Sequence, residues 1–120
     1  MKIKMPLIFA SVLLALSAPA FADDDQKIIA QAAKNIMTTA QALKAADETP
    51  VTVYGTIHKH IKDEMYQLQD QTGIIHVEID HDLATPAQLL NPSKKVRVVG
   101  EVDTHRYKPT DIDVVEIEIL

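Results

Sequence analysis

His58 and His60, together with His76 and Glu78, are the side chains whose type and spacing come closest to chemistry in this chain. Each pair is separated by one residue. On an extended strand that spacing puts both side chains on one face, about 7 Å apart. Imidazoles and a carboxylate so placed can converge on a Zn²⁺ or Cu²⁺ ion. If the two strands flank a third, the pairs lie about 10 Å apart across the sheet. Imidazole is also the side chain that changes charge between about pH 5 and 8, so the cluster would respond to acid. The plainer reading is a set of solvated histidines on a polar strand face. His81 and Asp82 follow closely, and they join the cluster only if the connector folds back.

The elements that must position these residues lie back to back between residues 51 and 80. In the first run, Val51, Val53, Gly55, Ile57 and Ile61 fall on one face, and Thr52, Tyr54, Thr56, His58 and His60 on the other. That is the period of a half-buried strand. The second run, 64–70, puts Tyr66 and Leu68 inward and Met65, Gln67 and Gln69 outward. The third, 74–80, buries Ile75, Val77 and Ile79 and exposes His76, Glu78 and Asp80. Lys62-Asp63 and Asp70-Gln71-Thr72-Gly73 are the turns, the second with glycine as the residue suited to φ > 0. An antiparallel meander with one apolar and one polar face follows.

Upstream, residues 1–22 read as a secretory signal peptide. Lys2 and Lys4 precede an apolar stretch from Pro6 to Leu16, and Ala20-Phe21-Ala22 forms an A-x-A site. The apolar run is short of the roughly 20 residues that a membrane span needs. Cleavage after Ala22 would leave no stable membrane insertion and deliver the protein to the periplasm. The remainder holds ten basic against seventeen acidic side chains, a net of −7. That charge opposes nucleic acid and anionic lipid and tolerates cationic partners. Its aromatics are Tyr54, Tyr66 and Tyr107, too few for a base-stacking surface. With no cysteine, thiol catalysis and cysteine zinc sites are excluded.

Residues 23–49 have helical character, with Ile29, Ala33, Ile36, Ala40 and Leu43 at spacings of three and four. Asp23 to Asp25 favour the helix start. A break or bend is expected near Thr38-Thr39, and Pro50 ends the segment. Beyond the meander, Thr85 caps a single helical turn with Pro86 at its first position. Lys94 to Val102 is a fourth strand with Val96, Val98, Gly100 and Val102 inward. A polar loop containing His105, Arg106 and Tyr107 leads to a fifth strand, 112–120. There Val115, Ile117 and Ile119 are expected inward and Glu116 and Glu118 outward. Five strands with a helical turn between the third and fourth match a mainly β, Greek-key OB-fold barrel over residues 50–120. The mid-strand glycines Gly55 and Gly100 suit the bulges or tight coils that closure needs. An open five-stranded sheet with a helix across it is the competing architecture.

The chain resembles the bacterial OB-fold (BOF) family of periplasmic stress-tolerance proteins, of the YgiW/YdeI type. The resemblance is carried by VTVYGTI at 51–57, Tyr66, Leu68 and Asp70, Thr72-Gly73, VEID at 77–80, KVRVVGEVD at 95–103 and VEI at 115–117. It covers about 38–120 and includes the signal peptide. It implies a periplasmic binding module tied to envelope stress, and it implies no catalytic residues and no cofactor. Tryptophans common in the family are missing at Glu48-Thr49-Pro50, Asp82-Leu83-Ala84 and His105-Arg106-Tyr107.

No Gly-x-Ser-x-Gly, His-Glu-x-x-His or phosphate-loop element is present, so the sequence points away from an enzyme. The expected function is a binding module that holds an envelope protein, a cationic peptide or a cell-wall fragment, and not nucleic acid. Its expected face comprises Tyr54, Thr56, His58, His60, Met65, Gln67, His76 and Glu78. The alternative is a metal-binding or metal-buffering protein using His58, His60 and His76, with Glu78 as a further ligand.

Overall fold

A computed structural model describes residues 23–120, so the expected signal peptide lies outside the described residues. Helix α1 (Asp23–Ala32) is followed by a two-residue strand β1 (Ile36–Met37) and helix α2 (Thr39–Leu43). Then come β2 (Pro50–Lys62), β3 (Met65–Asp70), β4 (Gly73–Glu78), helix α3 (Pro86–Leu89), β5 (Val96–Asp103) and β6 (Asp111–Ile119). The sheet order is β1-β2-β3-β4-β6-β5, and a further β2–β5 pairing closes strands β2 to β6 into a barrel. The open-sheet alternative is therefore overturned. Pairing is antiparallel around the barrel except between β4 and β6.

Closure depends on β2 serving two neighbours. Pro50 to Gly55 pair with β5, while Thr56 to Lys62 pair with β3. Gly55 sits at the hand-over. A Cβ there would collide with the Gln69 carbonyl and press on Leu68 Cδ1 at 3.2 Å. Inside, Val51, Val53, Ile57, Tyr66, Leu68, Ile75, Val77, Ile79, Val96, Val98, Val102, Ile112 and Val114 form one buried cluster. Ala42 of α2, with Ala84 and Leu89 from the connector, complete it. Each large aliphatic buried this way contributes about 1.5 to 3 kcal/mol.

The break expected near Thr38 is real, and its chemistry is a reciprocal cap. Thr38 Oγ1 accepts from Gln41 N, and the Thr38 N–H donates to Gln41 Oε1. Thr85 and Gln88 repeat the device at α3, with Pro86 opening the helix. Helix α1 and the segment after it lie against the outside of β2. The Thr52 hydroxyl donates to the Ala32 carbonyl at 2.8 Å, and Asn35 Nδ2 donates to the Pro50 carbonyl at 2.7 Å.

Three inward assignments fail, two at irregular strand pairing and one at a strand end. Register shifts between β2 and β3 leave His58 and Ile61 as extra residues, and Ile61 is exposed. Another shift opposite Val99 and Gly100 leaves Val115 as the extra residue of β6, so Val114 takes the core position. Ile119 lies at the strand end and is exposed, whereas Ile117 packs on the core.

Asp70 ties the β3–β4 turn to α2. Its Oδ1 accepts from the Thr72 N–H, the Thr72 hydroxyl and the Gly73 N–H, and its Oδ2 accepts from the Thr39 N–H at 2.8 Å. Burial pushes this carboxyl up, but the bonds from Thr72 and Thr39 outweigh it and hold it below the ordinary carboxylate value. A depressed carboxyl contributes stability above its unfolded pKa and loses it as pH falls through the folded one. Asp70→Ala should therefore cost about 2 to 3 kcal/mol near pH 7, as expected for bonds to a charged acceptor. The gap from wild type should narrow from about pH 4 downward. Urea melts across that range check both; a gap that stays constant into acid would contradict the ionic role.

Candidate functional site

The barrel's outer surface over β3, β4, β6 and β5 carries two parallel rows of side chains, all polar except Met65. Strand pairing aligns Gln67 with His76, His76 with Asp111 and Asp111 with Asp103. One step along, it aligns Met65 with Glu78, Glu78 with Asp113 and Asp113 with Glu101. The alternation that buries Tyr66, Val77, Ile112 and Val102 necessarily turns these rows outward. Five of the eight are carboxylates, brought together by register from segments up to 35 residues apart.

Two loops frame the rows. The β2–β3 turn, Asp63-Glu64, has Asp63 in the left-handed region at φ 47°. Beside it Lys62, Asp63, Glu64, Met65, Glu78 and His81 line a hollow of about 360 Å³. At the other end the 104–110 loop is anchored where the Thr104 N–H donates to Asp47 Oδ1 at 2.8 Å. It folds His105 back so that Nε2 meets Asp111 Oδ1 and stands 3.6 Å from Asp103 Oδ2. Tyr107 in this loop is 90 % exposed. OB folds take their ligands on this face of the barrel, between these two loops.

The field over the rows is negative. Glu78 is raised above the ordinary carboxylate value, first by burial and then by Asp113, Asp111, Glu64 and Asp103. Asp113 is raised by burial, then by Asp103, Asp111 and Asp25. Glu101 is raised by burial, then by Glu48, Asp113, Asp47 and Asp24. Among the described residues no Lys or Arg forms an ion pair with these carboxylates. Arg97 instead holds Glu118 at 2.9 Å and Glu116 at 3.6 Å.

The eight residues expected to form one binding face do not stay together. Met65, Gln67, His76 and Glu78 lie in the two rows. Tyr54 and Thr56 line a separate groove of about 450 Å³ with Lys95 and Gln69. Thr56 and His58 border a smaller hollow with Leu90 and Pro92. His60 turns to the Tyr66 side, stacks on that ring at 4.5 Å between centroids, and bonds the Asp63 carbonyl at 2.7 Å. The expectation of His58 and His60 side by side is thus corrected: His58 is itself an extra residue of β2, so Lys59 takes the place beside Gln67 and His60 falls opposite Tyr66. Among the described residues, the side chains with metal-site spacing are Asp103, His105 and Asp111, not the set of His58, His60, His76 and Glu78. Sequence reasoning placed His105 in a polar loop and gave Asp111 no role. The Asp103-x-His105 spacing was visible, but the approach of Asp111 needs the β5–β6 register.

A family model described as Bacterial OB fold (BOF) protein matches residues 15–119. The calcium-regulated OB-fold protein CarO of Pseudomonas aeruginosa is 41% identical over 81 residues, covering 67% of this chain and 69% of CarO. Protein YgiW of Escherichia coli K12 is 34% identical over 83 residues, covering 69% of this chain and 62% of YgiW. The solved structure of ygiW from E. coli superposes with a TM-score of 0.65 at 32% identity, covering 72% of this chain and 90% of that one.

Proposed function

We propose that this chain, which belongs to the bacterial OB fold (BOF) family, is a non-catalytic periplasmic binding module serving envelope stress tolerance, and that it holds cationic ligands on the acidic β3–β4–β6–β5 face. The observation that carries this reading is the pair of outward carboxylate rows with no Lys or Arg ion-pair partner among the described residues, set where OB folds take ligands. A low-dielectric wall lined by one sign of charge concentrates the opposite sign. A cationic peptide of the envelope fits this field, and exposed Tyr107 offers its ring to a cation at the rim. One relative, CarO, is named as calcium-regulated, and a cation-attracting face gives such a link a physical footing here. The carboxylates are spread over a sheet surface and not opposed across a cleft, which supports binding over acid–base catalysis.

Export is part of the reading and rests on the basic, apolar and A-x-A pattern of residues 1–22. No helix among the described residues is long and apolar enough to cross a membrane. Intact mass of the protein from a periplasmic fraction should lack residues 1–22. A mass retaining them, or recovery only from cytosol, contradicts export.

The location of binding is tested by charge reversal. Glu78→Lys with Asp113→Lys should weaken a labelled cationic peptide by about tenfold or more, since both charges sit mid-row. Lys94→Glu with Lys95→Glu should leave binding unchanged or strengthen it. Peptide affinity untouched by the first double variant places the site elsewhere.

A further inference from the structure

We propose that Asp103, His105 and Asp111 form a site for a single divalent transition-metal ion of the Zn²⁺ class. The site shares the acidic field of the proposed function but does not depend on peptide binding. Its donors come from both ends of one hairpin. Asp103 closes β5, Asp111 opens β6, and the two are paired in register. The intervening loop returns His105 over them, so that one ligand atom from each lies within 4.8 Å of the others.

Asp111 supplies the independent observation. Its side chain is 3 % exposed, its Oδ1 faces His105 Nε2, and its Oδ2 has no hydrogen-bond partner. A buried carboxylate oxygen without a donor is costly, and a cation is the natural group to meet it. The separation of His105 Nε2 from Asp103 Oδ2, 3.6 Å, is close to that of two ligands in a tetrahedral shell of about 2 Å radius. Asp111 Oδ1 lies closer to the imidazole, and a bound ion would replace the hydrogen bond between them.

The donor set selects the metal class. One imidazole and two carboxylates suit Zn²⁺ and its first-row neighbours, whereas Ca²⁺ calls for six or more oxygens. Three protein ligands leave a fourth position for water. Glu78 and Asp113 stand one row away and add attraction without ligating.

Calorimetric titration of the metal-stripped protein with Zn²⁺ near neutral pH should show one saturable site at micromolar affinity, with Ca²⁺ at least about tenfold weaker. Asp111→Asn, which preserves shape, and His105→Gln should each lower Zn²⁺ affinity by about tenfold or more. His105→Gln, which lies outside the carboxylate rows and removes none of their charge, should retain the cationic peptide, which separates failure of this site from failure of the acidic face. Zn²⁺ should also shift the His105 imidazole signals in the NMR spectrum, a readout that a purely structural role would not move. His58→Ala with His60→Ala should leave the titration unchanged. No saturable Zn²⁺ binding, binding undiminished in both Asp111→Asn and His105→Gln, or loss confined to the His58 and His60 variant would each overturn the proposal.

Discussion

Gly100→Val should lower the stability of the barrel by about 3 kcal/mol, and the melting temperature by roughly 10 °C or more. Valine is a strong strand former, so at an ordinary position in β5 the change would be neutral or favourable. Gly100 is not such a position. It is paired with Val114 at the irregular step of the β5–β6 ladder, where Val115 is extra. A Cβ on Gly100 would strike the Asp113 carbonyl oxygen and come within 2.9 Å of both its carbon and Ile112 Cγ2. Two of these three atoms are backbone of the neighbouring strand, so relief requires opening the ladder that closes the barrel. Gly100→Ala carries the same Cβ and should be destabilising as well, by less. Urea melts of the two variants decide this. A neutral valine would mean that β5 and β6 do not approach as closely as described.

The parts of the fold legible in the sequence are those governed by period and punctuation. Alternation around Val51, Val53 and Ile57, around Tyr66 and Leu68, and around Ile75 and Val77 depends on nearest neighbours, and these residues are buried as expected. The Thr85-Pro86 helix start and the break at Thr38 are local chemistry and were equally readable. What failed was non-local. A bulge inserts one residue and reverses the face of all that follow, with no compositional mark at Ile61 or Val115. The bulge at His58 set His60 opposite Tyr66 and dissolved the histidine pair. The short strand β1 was hidden because Ile36 fits the helical spacing, while the pairing of Ile36 and Met37 to Thr52 and Val53 depends on a distant strand.

The candidate site follows the same division. Glu78 and His76 were readable as outward residues of one strand. Asp103, Asp111, Asp113 and Glu101 were not readable as their neighbours, because only the β4–β6 and β5–β6 registers bring them together. Net charge was legible, but its concentration on one face was not. The basic residues Lys94, Lys95 and Arg97 lie together around the start of β5 and oppose the acidic balance. Arg97 is held by Glu116 and Glu118, which leaves the two exposed lysines.

The barrel face framed by the β2–β3 turn and the 104–110 loop is acidic, and the proposed function has that face take cations. The expected effect is large because like charges repel polyanions as strongly as they draw polycations. Exposed charges are screened over about 8 Å at physiological salt, so affinity must fall as salt rises. The most direct measurement is fluorescence anisotropy of the protein against two labelled probes, a polycationic peptide and a single-stranded oligonucleotide, from about 50 to about 500 mM NaCl. Micromolar binding of the peptide is expected, weakening by about tenfold or more across that range, with no saturable binding of the oligonucleotide. Salt-sensitive micromolar binding of the oligonucleotide, with none of the peptide, would contradict this expectation and show that Lys94 and Lys95 outweigh the acidic face.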